Sequence, residues 1–345
     1  MKVAAIQMPT VKDKIQNIRT AGTYIEKIKA ENPDFVILPE MFCCPYQTEN
    51  FPVYAEKEGG PSWQAMSDYA RKYHIYLIAG SMPEADDVGK VYNTSYIFDR
   101  DGKQIGKHRK AHLFDINVKN GQHFKESDTL TSGDHATVFD TEFGKMGVMI
   151  CYDIRFPEFA RTMVLDGARM IFVPAAFNMT TGPAHWELTF RARALDNQIY
   201  MLGCAPARDT QAGYISWGHS IVTDPWGRVT GMLDENEGIL LAELDMDYEE
   251  QVREEQSSIA HVYAEDITAY DGDDAERVWY VREQGKTEWQ KAGNGKNAIK
   301  ENVEGNAAIS DCGIRDASFG TWKAMIYEKT GVGKLDIRLE VTEKW

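Results

Sequence analysis

The chain has 345 residues, 43% hydrophobic and 11% aromatic, with 38 basic against 53 acidic side chains and a net charge of −15. That much apolar material builds a sizeable core, in one large domain or two ordinary ones, and excludes a disordered or fibrous chain. The acidic balance repels phosphate backbones and anionic lipid, so neither nucleic acid nor a membrane surface is the expected partner. No apolar run approaches the roughly 18 residues of a membrane helix. Met1–Met8 (MKVAAIQM) reads directly as a strand, so no cleavable leader is expected. Cysteines stand at 43, 44, 151, 204 and 312. An odd number with an adjacent pair is no disulfide framework and fits a reducing cytoplasm. The sequons at Asn93 (NTS) and Asn178 (NMT) are then expected to stay unmodified.

In chain order, Val3–Gln7 is a short apolar strand. Residues 12–31 carry Ile15, Ile18, Ile25 and Ile28 at helical spacing. Phe35–Leu38 (FVIL) is an unbroken apolar run, as in a strand covered on both faces. A helix is predicted over 61–74 and strands over 76–79 and 95–98, with Asp99–Gly102 (DRDG) a turn. Val148–Ile150 ends another buried strand. A helix over 157–167 opens with Pro157, and Ile171–Pro174 is a strand. The spacing predicts a helix over 183–197, strands near 200–206, 217–223 and 239–245, and an acidic helix over 247–256. Such alternation is an α/β fold with helices covering sheets.

After Gln256 the character changes. Residues 257–276 read as an acidic linker. A calcium loop starting at Asp271 is rejected, because its sixth position is Glu276 and its twelfth Arg282. Residues 277–345 read as a small β-rich module. Hairpins are expected over Arg277–Gln290 and over Lys323–Thr342 around Gly331 and Gly333, with a Gly- and Asn-rich loop between them. No internal repeat is visible.

Three side chains stand out chemically. Glu40 follows FVIL through Pro39, Cys151 follows the apolar run GVMI, and Lys110 ends the basic segment KHRK. Open α/β sheets hold ligands at the carboxyl ends of their strands, so Glu40 and Cys151 could share a pocket. Each has a plainer reading taken alone: a core cysteine, a loop or capping acid, one lysine of a basic cluster. Together the three suit amide cleavage, which needs a nucleophile, a proton shuttle and a stabiliser for the developing oxyanion. A lysine ammonium lowers a thiol pKa and a carboxylate can accept the thiol proton.

The segments LPEMF (38–42), HRKAHLF (108–114) and CYDIRFPE (151–158) together resemble, in order and spacing, the three catalytic signatures of the nitrilase superfamily of carbon–nitrogen hydrolases. The resemblance spans about residues 2–256. It implies a four-layer α-β-β-α sandwich and a homodimer or higher homo-oligomer. It casts Cys151 as nucleophile, Glu40 as general base, and Lys110 with the Tyr152 N–H as oxyanion donors. FKES (124–127) resembles the family's second acidic motif and makes Glu126 a fourth catalytic candidate. The alternative is an ordinary loop acid.

The segments AAFNMTTGPAHWEL, ALDNQIYMLGCAPAR and WGHSIVTDPWG resemble the ω-amidase branch. That branch hydrolyses the terminal amide of short dicarboxylic monoamides, chiefly α-ketoglutaramate and α-ketosuccinamate. A substrate carboxylate would need Arg155, whose guanidinium suits a bidentate clamp; the plainer role is an ion pair with Asp153 or Glu158. By the same resemblance Thr181 and the backbone at Phe177 would help to hold substrate, and Tyr46 would shape the pocket wall. His185 reads as structural. No metal and no organic cofactor is expected. Alternatives are an amidase for deaminated glutathione or an N-carbamoyl amino acid, or a binding protein acting through the last 90 residues, where Trp279, Trp289, Trp322 and Trp345 could line a ligand face or form the module's core.

Overall fold

The computed structural model describes residues 1–117, 123–255, 276–283, 290–294, 309–318, 321–330 and 333–342. It divides into two compact units, Met1–Glu250 and Gln251–Trp345.

The first unit is built on two sheets. One runs Gly238–Glu243 (β15), Lys2–Gln7 (β1), Phe35–Ile37 (β2), Tyr76–Ile78 (β3), Val91–Phe98 (β5) and Met82–Ala85 (β4), with Gln104–Arg109 (β6) also paired to β5. The other runs Val229–Met232 (β14), Ile221–Thr223 (β13), Tyr200–Cys204 (β12), Ala168–Pro174 (β11), Gly144–Val148 (β10) and Thr137–Thr141 (β9). The centres are parallel, β1-β2-β3 in one and β10-β11-β12 in the other. Two short strands, Asp115–Asn117 (β7) and His123–Lys125 (β8), form a separate antiparallel pair.

The strand period of two sorts the side chains into layers. Val3, Ala5, Phe35 and Ile37 meet Met146, Val148, Met170, Phe172 and Leu202 in one cluster between the sheets. The alternate residues Ala4, Ile6, Val36 and Leu38 pack instead on Ile18, Ala21 and Ile25 of Lys14–Ile28 (α1) and on Met66 and Ala70 of the helix Pro61–Tyr73 (α3). Between those helices lies a single turn, Phe51–Tyr54 (α2). On the second sheet Pro157–Leu165 (α4) and Gly182–Asn197 (α5) form the outer layer; Met163 touches the strand glycine Gly147, and Phe190 lies over Gly203. The unit is therefore the four-layer α-β-β-α sandwich. Both faces of each central strand are buried, which is why FVIL and its like carry no polar alternation.

Helix ends follow local chemistry. Asp13 caps α1 by accepting from the N–H groups of Ile15 and Gln16 at 2.9 and 3.1 Å. Pro61, Pro157 and Pro183 sit in the first turns of α3, α4 and α5, where no backbone donor is needed. Met246–Glu255 (α6) is the acidic helix. Several strands lie outside the predicted ones, notably β4 and β9, and β6 is the extended segment after the DRDG turn. Their side chains are polar or mixed, and they are strands because β5 and β10 offer unpaired edges.

The second unit is a five-stranded antiparallel sheet in the order Gln290–Asn294 (β17), Glu276–Glu283 (β16), Gly333–Thr342 (β20), Thr321–Thr330 (β19), Ile309–Ser318 (β18). β16 pairs β17, and β19 returns to β20 with Thr330 opposite Gly333. β18 lies inside what reads as a Gly- and Asn-rich loop; its ISDCGIRDAS carries too little apolar alternation to announce a strand, and pairing with β19 supplies its ladder. Residues 257–275 of the acidic linker and Gly331 fall outside the described residues.

Candidate active site

Glu40, Lys110 and Glu126 meet in one fully enclosed cluster. Lys110 Nζ donates to Glu40 Oε1 and to Glu126 Oε1, each at 2.9 Å. These residues are 70 and 16 positions apart and come from three different loops.

Each loop is fixed by backbone bonds. Glu40 leaves β2 through Pro39, and Met41 N–H donates to Ser81 Oγ at 3.0 Å. Gly80 lets the facing segment close in: a Cβ there would lie 2.1 Å from Pro39 O, and its φ of +52° is a conformation glycine adopts freely. Lys110 follows β6, and its N–H donates to Asn93 O at 2.8 Å. The side chain of the same Asn93 donates through Nδ2 to Glu40 Oε1 at 2.9 Å. Glu126 opens a 3₁₀ turn, and its Oε2 accepts from Phe114 N–H at 2.6 Å.

Cys151 stands at the end of the β10 run with φ +48°, in the left-handed region that a side chain enters only at a cost. The thiol is buried beside the same charges. Burial pushes it well above its ordinary pKa, the Glu40 carboxylate adds to this, and Lys110 opposes it. Burial alone would push the Lys110 ammonium down, yet Glu126 and Glu40 outweigh that and hold it above its usual value. Glu126 is pushed up by burial, against the pull of Lys110.

One backbone group ties sulfur and acid together. Ala176 N–H donates to Glu40 Oε2 at 2.8 Å and also faces the Cys151 sulfur. The two carboxylate oxygens are therefore distinct. Oε1 is held by Lys110, Asn93 and Tyr46, while Oε2 shares its single donor with the thiol. Chemically, the cluster offers a thiol, a carboxylate oxygen poised to take its proton and an ammonium able to face an oxyanion.

Asp153 is a residue the sequence reading left in a minor role. Its fully buried carboxylate accepts from Ile150 N–H at 3.0 Å and from His112 N–H at 2.9 Å, and it meets His108 Nε2 at 3.0 Å and His112 Nδ1 at 2.8 Å. His108 and His112 flank Lys110 at two positions on either side, so one carboxylate ties the turn at Cys151 to the strand that delivers the lysine. The legible signal was the alternation His-x-Lys-x-His. Asn93 and Asn178 are likewise buried and engaged in bonds, which leaves no room for glycans at either sequon.

The remaining candidates lie around this centre. Tyr46 Oη reaches Glu40 Oε1 at 3.0 Å and Glu126 Oε1 at 2.5 Å, and its ring packs on Tyr214 and Phe124. Arg155 lacks the ion pair with Asp153 or Glu158 that was its plainer reading. Its Nε is buried without a hydrogen-bond partner, no carboxylate among the described residues lies within ion-pair distance, and its guanidinium sits 5.0 Å from the Phe177 ring and 5.9 Å from that of Tyr152. Phe177 thus meets Arg155 through its ring, while its carbonyl accepts from Trp217 N–H at 2.7 Å. Thr181 Oγ1 donates to Asn178 Oδ1 at 3.1 Å. The Tyr152 N–H follows Cys151 at the start of a 3₁₀ turn, where donors lack intrahelical acceptors. His185 stays outside the cluster; burial first, then Arg155, pushes its imidazole pKa down. A small pocket open to solvent meets the cluster on the Glu40 side, walled by Glu40, Tyr46, Ala176, Tyr214 and Ser216 among others. Among the described residues no group of three or more His, Cys, Asp or Glu is arranged to hold a metal ion.

The carbon–nitrogen hydrolase family profile matches residues 2–254. The chain belongs to the carbon–nitrogen hydrolase family. Within it, the chain is 47% identical over 262 residues to the omega-amidase NIT3 of Saccharomyces cerevisiae, covering 74% of this chain and 90% of that protein. It is 47% identical over 254 residues to the omega-amidase NIT2-A of Xenopus laevis, covering 74% of this chain and 92% of that protein. The crystal structure of S. cerevisiae Nit3, a member of branch 10 of the nitrilase superfamily, superposes with a TM-score of 0.69 at 44% identity, over 74% of this chain and 93% of that one. Family membership accounts for the sandwich, and the matched span ends within α6.

Proposed function

We propose that this carbon–nitrogen hydrolase is an ω-amidase, releasing ammonia from the terminal amide of a short dicarboxylic monoamide of the α-ketoglutaramate or α-ketosuccinamate type. The observation that carries the substrate class is Arg155. A half-buried guanidinium four residues past the thiol, with no carboxylate of its own among the described residues, is a costly arrangement unless a ligand supplies the anion. The high identity to omega-amidases over most of their length supports the same reading.

In this reading the Cys151 S–H bond breaks as sulfur attacks the amide carbon, and the proton passes to Glu40 Oε2. The carbonyl oxygen becomes an oxyanion facing Lys110 Nζ and the Tyr152 N–H. Glu40 hands its proton to the departing nitrogen, the C–N bond breaks, and ammonia leaves a thioester on sulfur. Water then attacks the thioester, giving a proton to Glu40. Collapse expels the Cys151 thiolate, which regains a proton, and frees the acid. Glu126 holds Lys110 charged and aimed throughout. Thr181 and Phe177 frame the carboxylate end beside Arg155.

Two coarser features belong to the same proposal. The enzyme is a homodimer: α5 leaves Leu188 and Leu195, seven residues apart on one stripe, 65% and 48% exposed, with Trp226 42% exposed. It works in the reducing cytoplasm, which suits the free buried thiols Cys43, Cys44, Cys151 and Cys204.

The test is ammonia release across α-ketoglutaramate, deaminated glutathione, an N-carbamoyl amino acid, a neutral primary amide and a nitrile. Cys151→Ala should abolish turnover with the circular dichroism spectrum unchanged. Arg155→Lys should raise KM for the carboxylated amide about 10- to 100-fold, the range of one or two lost charge-assisted hydrogen bonds, and leave the neutral amide nearly unaffected. Equal losses on both substrates would remove the clamp from Arg155. Preference for deaminated glutathione or the carbamoyl compound would replace the substrate.

A further inference from the structure

The bonds around Tyr46 contain more acceptors than its one proton can serve. The phenol oxygen lies 3.0 Å from Glu40 Oε1 and 2.5 Å from Glu126 Oε1, with Lys110 Nζ at 3.5 Å. An ionised carboxylate can only accept, and a tyrosine hydroxyl has one hydrogen to give. At any moment the phenol therefore satisfies one of the two acids. The other acid keeps Lys110 Nζ at 2.9 Å and a backbone N–H, from Ala176 on Glu40 or from Phe114 on Glu126, so the phenol decides which of the two acids has the extra donor.

We infer that Tyr46 is a positioning residue that couples the charge of Glu40 to that of Glu126 by swinging a single hydroxyl hydrogen between them during turnover. The inference rests on the amidase reading above and adds a role for a side chain read from sequence only as pocket wall. The hydroxyl donates to Glu40 Oε1 while that acid is an anion waiting for the thiol. When Glu40 takes the Cys151 proton on Oε2, it becomes neutral and no longer needs the donor on Oε1. The phenol hydrogen then turns to Glu126 beside Lys110. No proton leaves oxygen in this step. The O–H bond of Tyr46 only rotates, and the thiol proton alone changes atoms.

The surroundings favour a phenol that never ionises. Burial, then Glu126, Glu40 and Cys151, push its pKa well above the ordinary tyrosine value. The titratable groups facing it are Glu40, Glu126, Lys110, Cys151 and Tyr214. Its ring is held for the role. Tyr214 lies tilted against it at 4.6 Å, Phe124 stacks at 5.6 Å, and Phe51 meets it edge-on at 5.5 Å. The ring is clamped, and the hydroxyl hydrogen keeps its one free rotation.

The experiment is the pH profile of kcat/KM for Tyr46→Phe in the full chain, which keeps the ring and removes the hydrogen. Tyr46→Phe removes one donor from the paired acids, and loss of a donor disfavours the charged form of a carboxylate. The acid limb should move up by about one pH unit, with kcat falling roughly tenfold or more and KM changing little. A fluorinated tyrosine at position 46, nearly the same shape and a stronger donor, should move the limb the opposite way. An unmoved acid limb in both variants, with wild-type turnover intact, overturns the coupling and leaves Tyr46 as wall. If Tyr46→Phe fails to fold, the fluorinated protein alone decides by the same criterion. A wild-type protein that releases no ammonia from any amide fails the functional proposal instead, a result distinguishable from either.

Discussion

At the scale of single residues, the proposed chemistry turns on two oxygens of one carboxylate. Glu40 Oε1 is saturated by three donors and Oε2 keeps one shared with the thiol. The arrangement separates two roles that a general base must hold, being fixed and being free to accept. It also yields a discriminating prediction. Burial and the Glu40 carboxylate both push the Cys151 thiol up. Glu40→Gln removes the charge, so the thiol should become more acidic and alkylation by iodoacetamide should begin at lower pH. Ammonia release should nonetheless fall by about 10²- to 10⁴-fold, the usual worth of a general base. A variant with slower alkylation and equal turnover would show that Glu40 neither shields nor serves the thiol.

At the scale of elements, the site is held by few contacts between distant segments, and Asp153 is the central one. It joins the turn after β10 to the His108–His112 stretch at the end of β6. Burial would raise its pKa, but the bonds from His108 and His112 outweigh this and hold it well below the ordinary aspartate value. The sign follows: a depressed folded pKa stabilises the protein above the unfolded value of about 4, and that contribution fades as pH falls below it. Asp153→Asn should cost about 1–3 kcal/mol in urea unfolding at pH 7 and measurably less at pH 3, with the remainder lost only at still lower pH. Turnover should drop with it, because Lys110 and Cys151 lose their common anchor. An equal loss of stability at both pH values would contradict the assignment.

At the scale of the whole molecule, the question is what lies outside the hydrolase sandwich. The omega-amidase relatives are matched over 90% or more of their own length by about three quarters of this chain. The five-stranded sheet of the second unit is thus an addition to an otherwise full-length hydrolase. The fragment 1–256 should therefore stay soluble and keep kcat/KM within about threefold of the full chain. Aggregation of the fragment would mean that the added unit covers apolar surface of the first. If the proposed homodimer forms through the exposed Leu188 and Leu195 stripe, Leu188→Glu should lower the mass measured by light scattering from dimer toward monomer. An unchanged mass would remove this stripe from the proposed interface.

The amino-acid order alone decides much of this protein. Apolar runs such as FVIL and the strand–helix alternation fix a layered α/β fold, because a strand buried on both faces can tolerate no polar alternation. The residues flanking Glu40, Lys110 and Cys151 mark where chemistry sits, since each of those segments carries its own local signature. Other features are not written along the chain. Asn93 sits in an ordinary strand, and Ala176 contributes only a backbone N–H. Neither has a side-chain pattern that announces the acid it binds. Arg155 could have paired with either neighbouring acid; among the described residues it pairs with neither, while Asp153 bonds His108 and His112. Tyr46 meets Glu126 across 80 residues. Such pairings depend on how loops from separate strands close over one another. Burial then sets their strength, because a hydrogen bond or a charge acquires its full weight only where water has been excluded.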